Sequence, residues 1–152
     1  RGSRHRCHRH QSIRLKKGTP MELARNLGLI VHFLGLAMIL GPFLVQMRSH
    51  SGYSFGWVAT GALLQLLSGS FLTVVAEMRL AEDPDESVNH MKIGVKLLLA
   101  LVILVVALVG RSRMKKIPTG SSPRKLLPLL HIAGFLALTD LALAVLWPGV
   151  VT

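Results

Sequence analysis

Apolar residues in this chain run in four long, nearly unbroken blocks rather than recurring at the spacing of an amphipathic helix. Each block is 18 to 22 residues long, and a helix of about 20 residues crosses the roughly 30 Å hydrocarbon core of a bilayer. Strands are excluded because the blocks have no alternating face and an open sheet edge cannot face lipid. The blocks are Leu27–Val45, Phe55–Ala76, Ile93–Gly110 and Leu126–Trp147.

Short polar connections separate the four blocks, which makes successive helices antiparallel neighbours. We therefore predict an all-α fold, an integral membrane bundle of four antiparallel transmembrane helices, formed by residues 21–152. The predicted helices cover about 24–47, 55–78, 88–110 and 125–147.

Composition supports a membrane protein, since 51% of the residues are hydrophobic, only 16% are charged, and the mean hydropathy is +0.50. Residues 21–152 contain no cysteine, no nucleotide-binding loop and no arrangement of a nucleophile with a base. The leading interpretation is a non-enzymatic accessory or structural membrane subunit without a cofactor. Its expected partners are the lipid bilayer and either further copies of itself or a larger membrane complex, with no nucleic acid.

The first twenty residues differ from the rest in being basic, rich in histidine and free of acid. Without their seven Arg and Lys residues the net charge falls from +11 to +4. Three interpretations stay open: binding of lipid headgroups or nucleic acid, metal capture by His and Cys, or a disordered or non-native leader. We favour the leader, because Met21 opens MELARNLG and Lys16–Gly18 can be encoded by a ribosome-binding sequence.

The connection between helices 3 and 4 carries six Arg and Lys residues, which predicts the orientation of the bundle. The positive-inside rule places this connection in the cytoplasm and both termini outside. A bacterial plasma membrane is the expected location. The six residues are Arg111, Arg113, Lys115, Lys116, Arg124 and Lys125.

Two charged residues, Lys96 and Asp140, lie within the apolar blocks. A charge at bilayer depth costs about 2.5–3.5 kcal/mol or more, so it usually faces the bundle and has a partner. Both residues lie fourteen positions from the predicted turn between helices 3 and 4, which places them at the same depth. Because each also shares a stripe with alanines, we predict an ion pair that neutralises the two charges and sets helix register.

Further polar residues are predicted to join this pair in one intramembrane layer. His32 shares a face with Gly28 and Gly35, and counting from the turn places it near the depth of Ser68 and Ser70. Thr73 is expected close to this layer. Gln65 lies between Gly61 and Ser68, on a small-residue face suited to interhelical hydrogen bonds. The predicted polar cluster is Lys96, Asp140, His32, Gln65 and Ser68.

The runs from His32 to Gly41 and from Asn89 to Leu97, with the His131-containing start of helix 4, resemble small membrane proteins of high-GC Gram-positive bacteria. Some of these are grouped with the copper resistance D-like family. The resemblance implies handling of haem or copper at His32, His90 or His131. A haem- or copper-binding protein using His32 with His90 or His131 is therefore one alternative function. A proton- or ion-coupled transporter unit using Lys96, Asp140 and His32 is another.

Overall fold

The computed structural model describes residues 20–48, 52–82, 89–118 and 123–147, and all regular structure within these ranges is helical. This confirms the predicted all-α fold. The basic leader lies outside the described residues, except for its last residue, Pro20. The elements are α1 (Pro20–Gln46), α2 (Phe55–Glu82), α3 (His90–Met114) and α4 (Leu127–Leu146), with a 3-10 helix at Pro123–Leu126 leading into α4.

The helix ends differ from the predicted ends by up to about four residues. α1 begins at Pro20, α2 continues to Glu82 and α3 continues to Met114, each beyond its apolar run. The predictions followed hydropathy, whereas the backbone stays helical in the polar flanks, where side chains reach the membrane interface. α3 starts later than predicted because Asn89 caps it, its Oδ1 accepting a hydrogen bond from the Lys92 backbone N–H at 3.0 Å.

All four helices are long and apolar enough to cross a membrane. Large apolar side chains cover the outer surface: Val45 is 82% exposed and Leu146 is 81% exposed. In water a surface of this kind would associate with other apolar surfaces, whereas in a bilayer the lipid tails cover it. The chain is therefore a multi-pass membrane protein.

The helices form a closed ring in which each packs against its neighbours in sequence and α1 packs against α4. Their contacts are antiparallel: the Phe55 ring at the start of α2 lies against Gly110 near the end of α3. The Phe43 ring near the end of α1 lies against Gly134 in α4. This end of the bundle holds most of the core, including Ile39, Val58, Ala62, Ile103, Ala107, Leu130 and Ala133.

α1 and α2 approach each other most closely at Gly35 and Gly61. A Cβ atom on Gly61 would lie 2.7 Å from the Gly35 carbonyl oxygen, and one on Gly35 would lie 2.9 Å from the Gly61 carbonyl oxygen. Small residues allow membrane helices to pack backbone against backbone in this way. The contact sets the register of α1 on α2 and brings His32, about one turn away, beside Ser68.

Candidate functional site

Lys96 of α3 and Asp140 of α4 form the predicted ion pair, with 3.8 Å between Lys96 Nζ and Asp140 Oδ2. The side chain of Asp140 is 10% exposed and that of Lys96 is 23% exposed. Most alanines of the two predicted stripes are buried, including Ala100 on α3 and Ala137 on α4, whereas Ala144 is half-buried. Because these small side chains let the helices approach, two charges on facing stripes meet inside the bundle.

His32 and Ser68 form a second polar contact, between α1 and α2, with 2.9 Å between His32 Nδ1 and Ser68 Oγ. The Ser68 hydroxyl donates to the carbonyl of Leu64, one turn earlier in α2. Since its only proton is used there, Ser68 Oγ accepts and His32 Nδ1 donates. The contact joins the two helices.

The remaining members of the predicted polar layer have different outcomes. Ser70 is exposed on the outer surface, so its expected place in the layer was wrong: two positions from Ser68, it lies on another helix face. Thr73 donates a hydrogen bond to the Gly69 carbonyl of its own helix at 2.9 Å. Gln65 faces the interior and is 4% exposed.

Two buried oxygen atoms accept no hydrogen bond from the described residues, Gln65 Oε1 and Asp140 Oδ1. An interhelical hydrogen bond was the expected role of Gln65, and the structure provides no donor for this oxygen among those residues. A buried acceptor without a donor costs about 1–3 kcal/mol. Two such atoms in one region suit a site that receives a hydrogen-bond donor from outside the chain.

A cavity of about 460 Å³ connects these groups and is enclosed by residues of all four helices. Four of the five predicted cluster residues line it, namely His32, Gln65, Lys96 and Asp140. Ser68 instead holds the His32 ring in place through their hydrogen bond. The volume falls within the range of small-molecule sites in proteins, so the polar cluster forms part of the wall of a potential binding site.

Sequence reasoning missed three further basic residues that line the cavity, Arg25, Arg79 and Lys92. All three lie outside the four apolar blocks, in their polar flanks. Helical spacing carried the missing signal, because Arg25 lies seven residues before His32 and Lys92 lies four before Lys96, which places each pair on one face.

Lys92 also binds the C-terminal end of α4. Its Nζ donates hydrogen bonds to the backbone carbonyls of Ala144, at 3.1 Å, and Trp147. The last carbonyls of a helix lack intrahelical donors and carry partial negative charge, so a cation stabilises them. Lys92 and Lys96, one turn apart, therefore both tie α3 to α4.

The three histidines considered for haem or copper lie at separate places. His131 packs edge-on against the Phe43 ring, with 5.9 Å between ring centroids. Since Phe43 follows His32 by eleven residues in α1, the two histidine levels are about 16 Å apart along the bundle. His90 Nδ1 lies 3.5 Å from Glu77 Oε1, and Glu77 follows Ser68 by nine residues, about 13 Å along α2.

The structure therefore does not bring His32 together with His90 or His131, whereas two ligands of one metal lie within a few ångström of each other. Among the described residues, no three His, Cys, Asp or Glu side chains form a group that could hold a metal ion. The helices of each pair would have to slide by two to three turns for their histidines to meet.

The chain matches no protein-family model, no curated protein and no solved structure. Likeness to the copper resistance D-like family thus stays a prediction from short sequence motifs. The geometry of the cavity is what bears on function.

Proposed function

We propose that this chain is a small, non-enzymatic membrane protein that binds a small molecule in the cavity between its four helices, as an accessory or binding subunit of a bacterial plasma membrane. One observation carries the proposal: the cavity is lined by Gln65 and Asp140, whose buried oxygens have no donor among the described residues. A bound molecule with hydroxyl or amine groups would supply those donors once the two side chains turn toward the cavity.

The contact between His32 and Ser68 brings a serine beside a histidine, as in a hydrolase, but its geometry supports a structural role. A nucleophilic serine passes its proton to the histidine. Here the Ser68 hydroxyl donates to the Leu64 carbonyl instead. The cavity is lined by His32 but not by Ser68, so the hydroxyl is not presented to a bound molecule.

Native mass spectrometry of the full chain, purified in mild detergent, tests the proposal. Ala76→Leu adds an isopropyl group to the cavity wall, and Ala37→Leu makes the same change at an exposed position of α1. We expect a bound small molecule on the wild type and on Ala37→Leu, and its loss from Ala76→Leu. An empty wild type, or equal retention by both variants, would contradict the proposal.

The same sample tests the alternative that the sequence resemblance implies. An absorption spectrum and metal analysis of protein from cells supplied with haem and copper would show a Soret band or near-stoichiometric copper if that alternative holds. A colourless and metal-free protein that still carries a small molecule would favour the cavity.

A second candidate function is ion or proton coupling, favoured by the position of the Lys96–Asp140 pair on the cavity wall. A carboxylate beside an intramembrane cavity can exchange a proton or hold a cation. pH-dependent flux into proteoliposomes that Asp140→Asn abolishes would support coupling. Binding in the cavity without any flux would leave the accessory role.

A further inference from the structure

The charges that line the cavity are unbalanced. Among the described residues that line it, four side chains are basic, Arg25, Arg79, Lys92 and Lys96, and one is acidic, Asp140. Within a low-dielectric bundle such an excess of positive charge attracts anions more strongly than it would in water. The two lysines already bind α4: Lys96 pairs with the Asp140 carboxylate, and Lys92 donates to the carbonyl groups at the end of the helix. The arginines of α1 and α2 are therefore the groups best suited to an incoming anion.

Helix contacts define how far these groups lie from one another along the bundle. Gly28 packs against Leu72, which places Arg25, three residues earlier, at the level of Val75. That level is about 6 Å from Arg79 along α2. Long arginine side chains on neighbouring helices can bind one phosphate or carboxylate with paired hydrogen bonds. Because both arginines line this end of the cavity, they form an anion-binding mouth.

The deeper part of the cavity presents acceptors instead. Leu97 packs against Gly69, so the Lys96–Asp140 pair lies about 7–9 Å below the Arg25 level, and Gln65 lies about one further turn down. Asp140 Oδ1 and Gln65 Oε1 are buried and have no donor among the described residues, so a ligand would bind them after their side chains turn toward the cavity. Between the two arginines and these acceptors, the cavity wall is apolar and is formed in part by Leu29 and Leu72.

We infer that the cavity binds an organic phosphate that carries hydroxyl groups, with the phosphate between Arg25 and Arg79 and the hydroxyls donating to Asp140 and Gln65. A glycerol phosphate unit has this chemistry and roughly this span. It occurs both as a free solute and as the headgroup of phosphatidylglycerol, whose chains would follow the apolar wall. The inference rests on the proposed function, because it names the class of molecule that the same cavity holds.

The test uses the full chain in nanodiscs of phosphatidylcholine, titrated with sn-glycerol 3-phosphate and followed by calorimetry. Glycerol lacks the anion, and inorganic phosphate lacks the hydroxyl-bearing carbon chain, so both should bind at least about tenfold more weakly. In a second arm, nanodiscs contain phosphatidylglycerol, and native mass spectrometry detects retained lipid. Binding in the first arm alone identifies a solute, and retention in the second arm alone identifies a lipid headgroup.

Substitutions distinguish the contribution of the two arginines to binding from that of the acceptors deeper in the cavity. Arg25→Gln and Arg79→Gln should each weaken binding about tenfold, as expected for loss of a charge-assisted contact, whereas Arg113→Gln, exposed at the end of α3, should leave it unchanged. Gln65→Leu should weaken binding several-fold while retaining or raising the melting temperature. That variant removes a buried acceptor that already lacks a donor, so lost binding would not reflect lost folding.

Two results would overturn the inference and leave the proposed function intact. One is equal binding of glycerol and glycerol phosphate, and the other is unchanged binding in both arginine variants, provided that Ala76→Leu still expels the bound molecule. If neither probe binds and the wild type also carries no small molecule, the proposed function fails as well.

Discussion

The two ends of the bundle are held together by different interactions. At the packed end, where α1 and α3 finish, aromatic rings lie against glycines and apolar side chains such as Val58 and Leu130 are fully buried. At the cavity end, where α2 and α4 finish, the helices enclose about 460 Å³ and meet through polar contacts. These are the Lys96–Asp140 pair, the Lys92 bonds to α4 and the His32–Ser68 hydrogen bond.

The difference shows how a small membrane protein can maintain a polar cavity. Lipid tails are as apolar as leucine, so helices in a bilayer gain little from burying apolar surface and depend on close packing and interhelical polar contacts. Close packing at one end holds the four helices in register. At the other end a few polar contacts then suffice, and those contacts leave space between them.

The largest expected effect is at the close approach of α1 and α2. Gly61→Ala places a Cβ atom 2.7 Å from the Gly35 carbonyl oxygen, and because backbone cannot move aside the helices must separate. We expect a loss of about 3 kcal/mol in the free energy of unfolding, measured by reversible unfolding in mixed micelles.

Gly94→Ala at the cavity end is the matched control. No heavy atom lies within 4 Å of a Cβ atom added there, so stability should change by less than about 1 kcal/mol and could rise through the higher helix propensity of alanine. Equal destabilisation by the two variants would show that the two ends do not differ in packing.

A smaller loss is expected from breaking the ion pair at the cavity end. Asp140→Asn leaves the Lys96 ammonium group partly buried without a countercharge, and we expect about 2 kcal/mol of destabilisation, below the range for fully buried pairs because Lys96 retains some exposure. Adding Lys96→Met should recover much of this loss. Strictly additive effects in the double-mutant cycle would refute the coupling of the two charges.

The smallest effect is expected from the hydrogen bond between α1 and α2. Ser68→Ala removes the acceptor of His32 and should cost about 0.6–1 kcal/mol, the usual range between membrane helices. Thr60→Ala is the control, since its hydroxyl bonds only to Gly56 of its own helix and is exposed. A loss for Thr60→Ala as large as that for Ser68→Ala would show that the contact between helices adds nothing.

The ion pair shows how far counting residues can reach. Lys96 and Asp140 were matched in depth and face from their distances to one turn, which worked because neighbouring helices joined by a short connection are antiparallel. The same reasoning failed for Ser70. Equal depth does not bring two side chains together when they lie on different helix faces.

The arginines of the cavity show a different limit. Arg25 and Arg79 lie beyond the apolar blocks, so hydropathy assigned them to the polar flanks of the helices. The helices in fact continue through both positions, and both side chains line the cavity. Hydropathy shows where the apolar, lipid-facing part of a helix ends, whereas the backbone hydrogen bonds of the helix continue beyond that point.

The sequence alone determined the number of helices, their membrane character and the identity of the interior charges, because long apolar runs and rare intramembrane charges are local and costly features. Tertiary structure alone decided that a cavity exists and that basic residues from three helices line it. It also decided that two of its lining residues carry buried acceptors without a donor among the described residues. Those properties depend on how far apart the helices stand at one end and on how each side chain is directed into that space. Both follow from contacts among all four helices, which no single segment of the chain specifies.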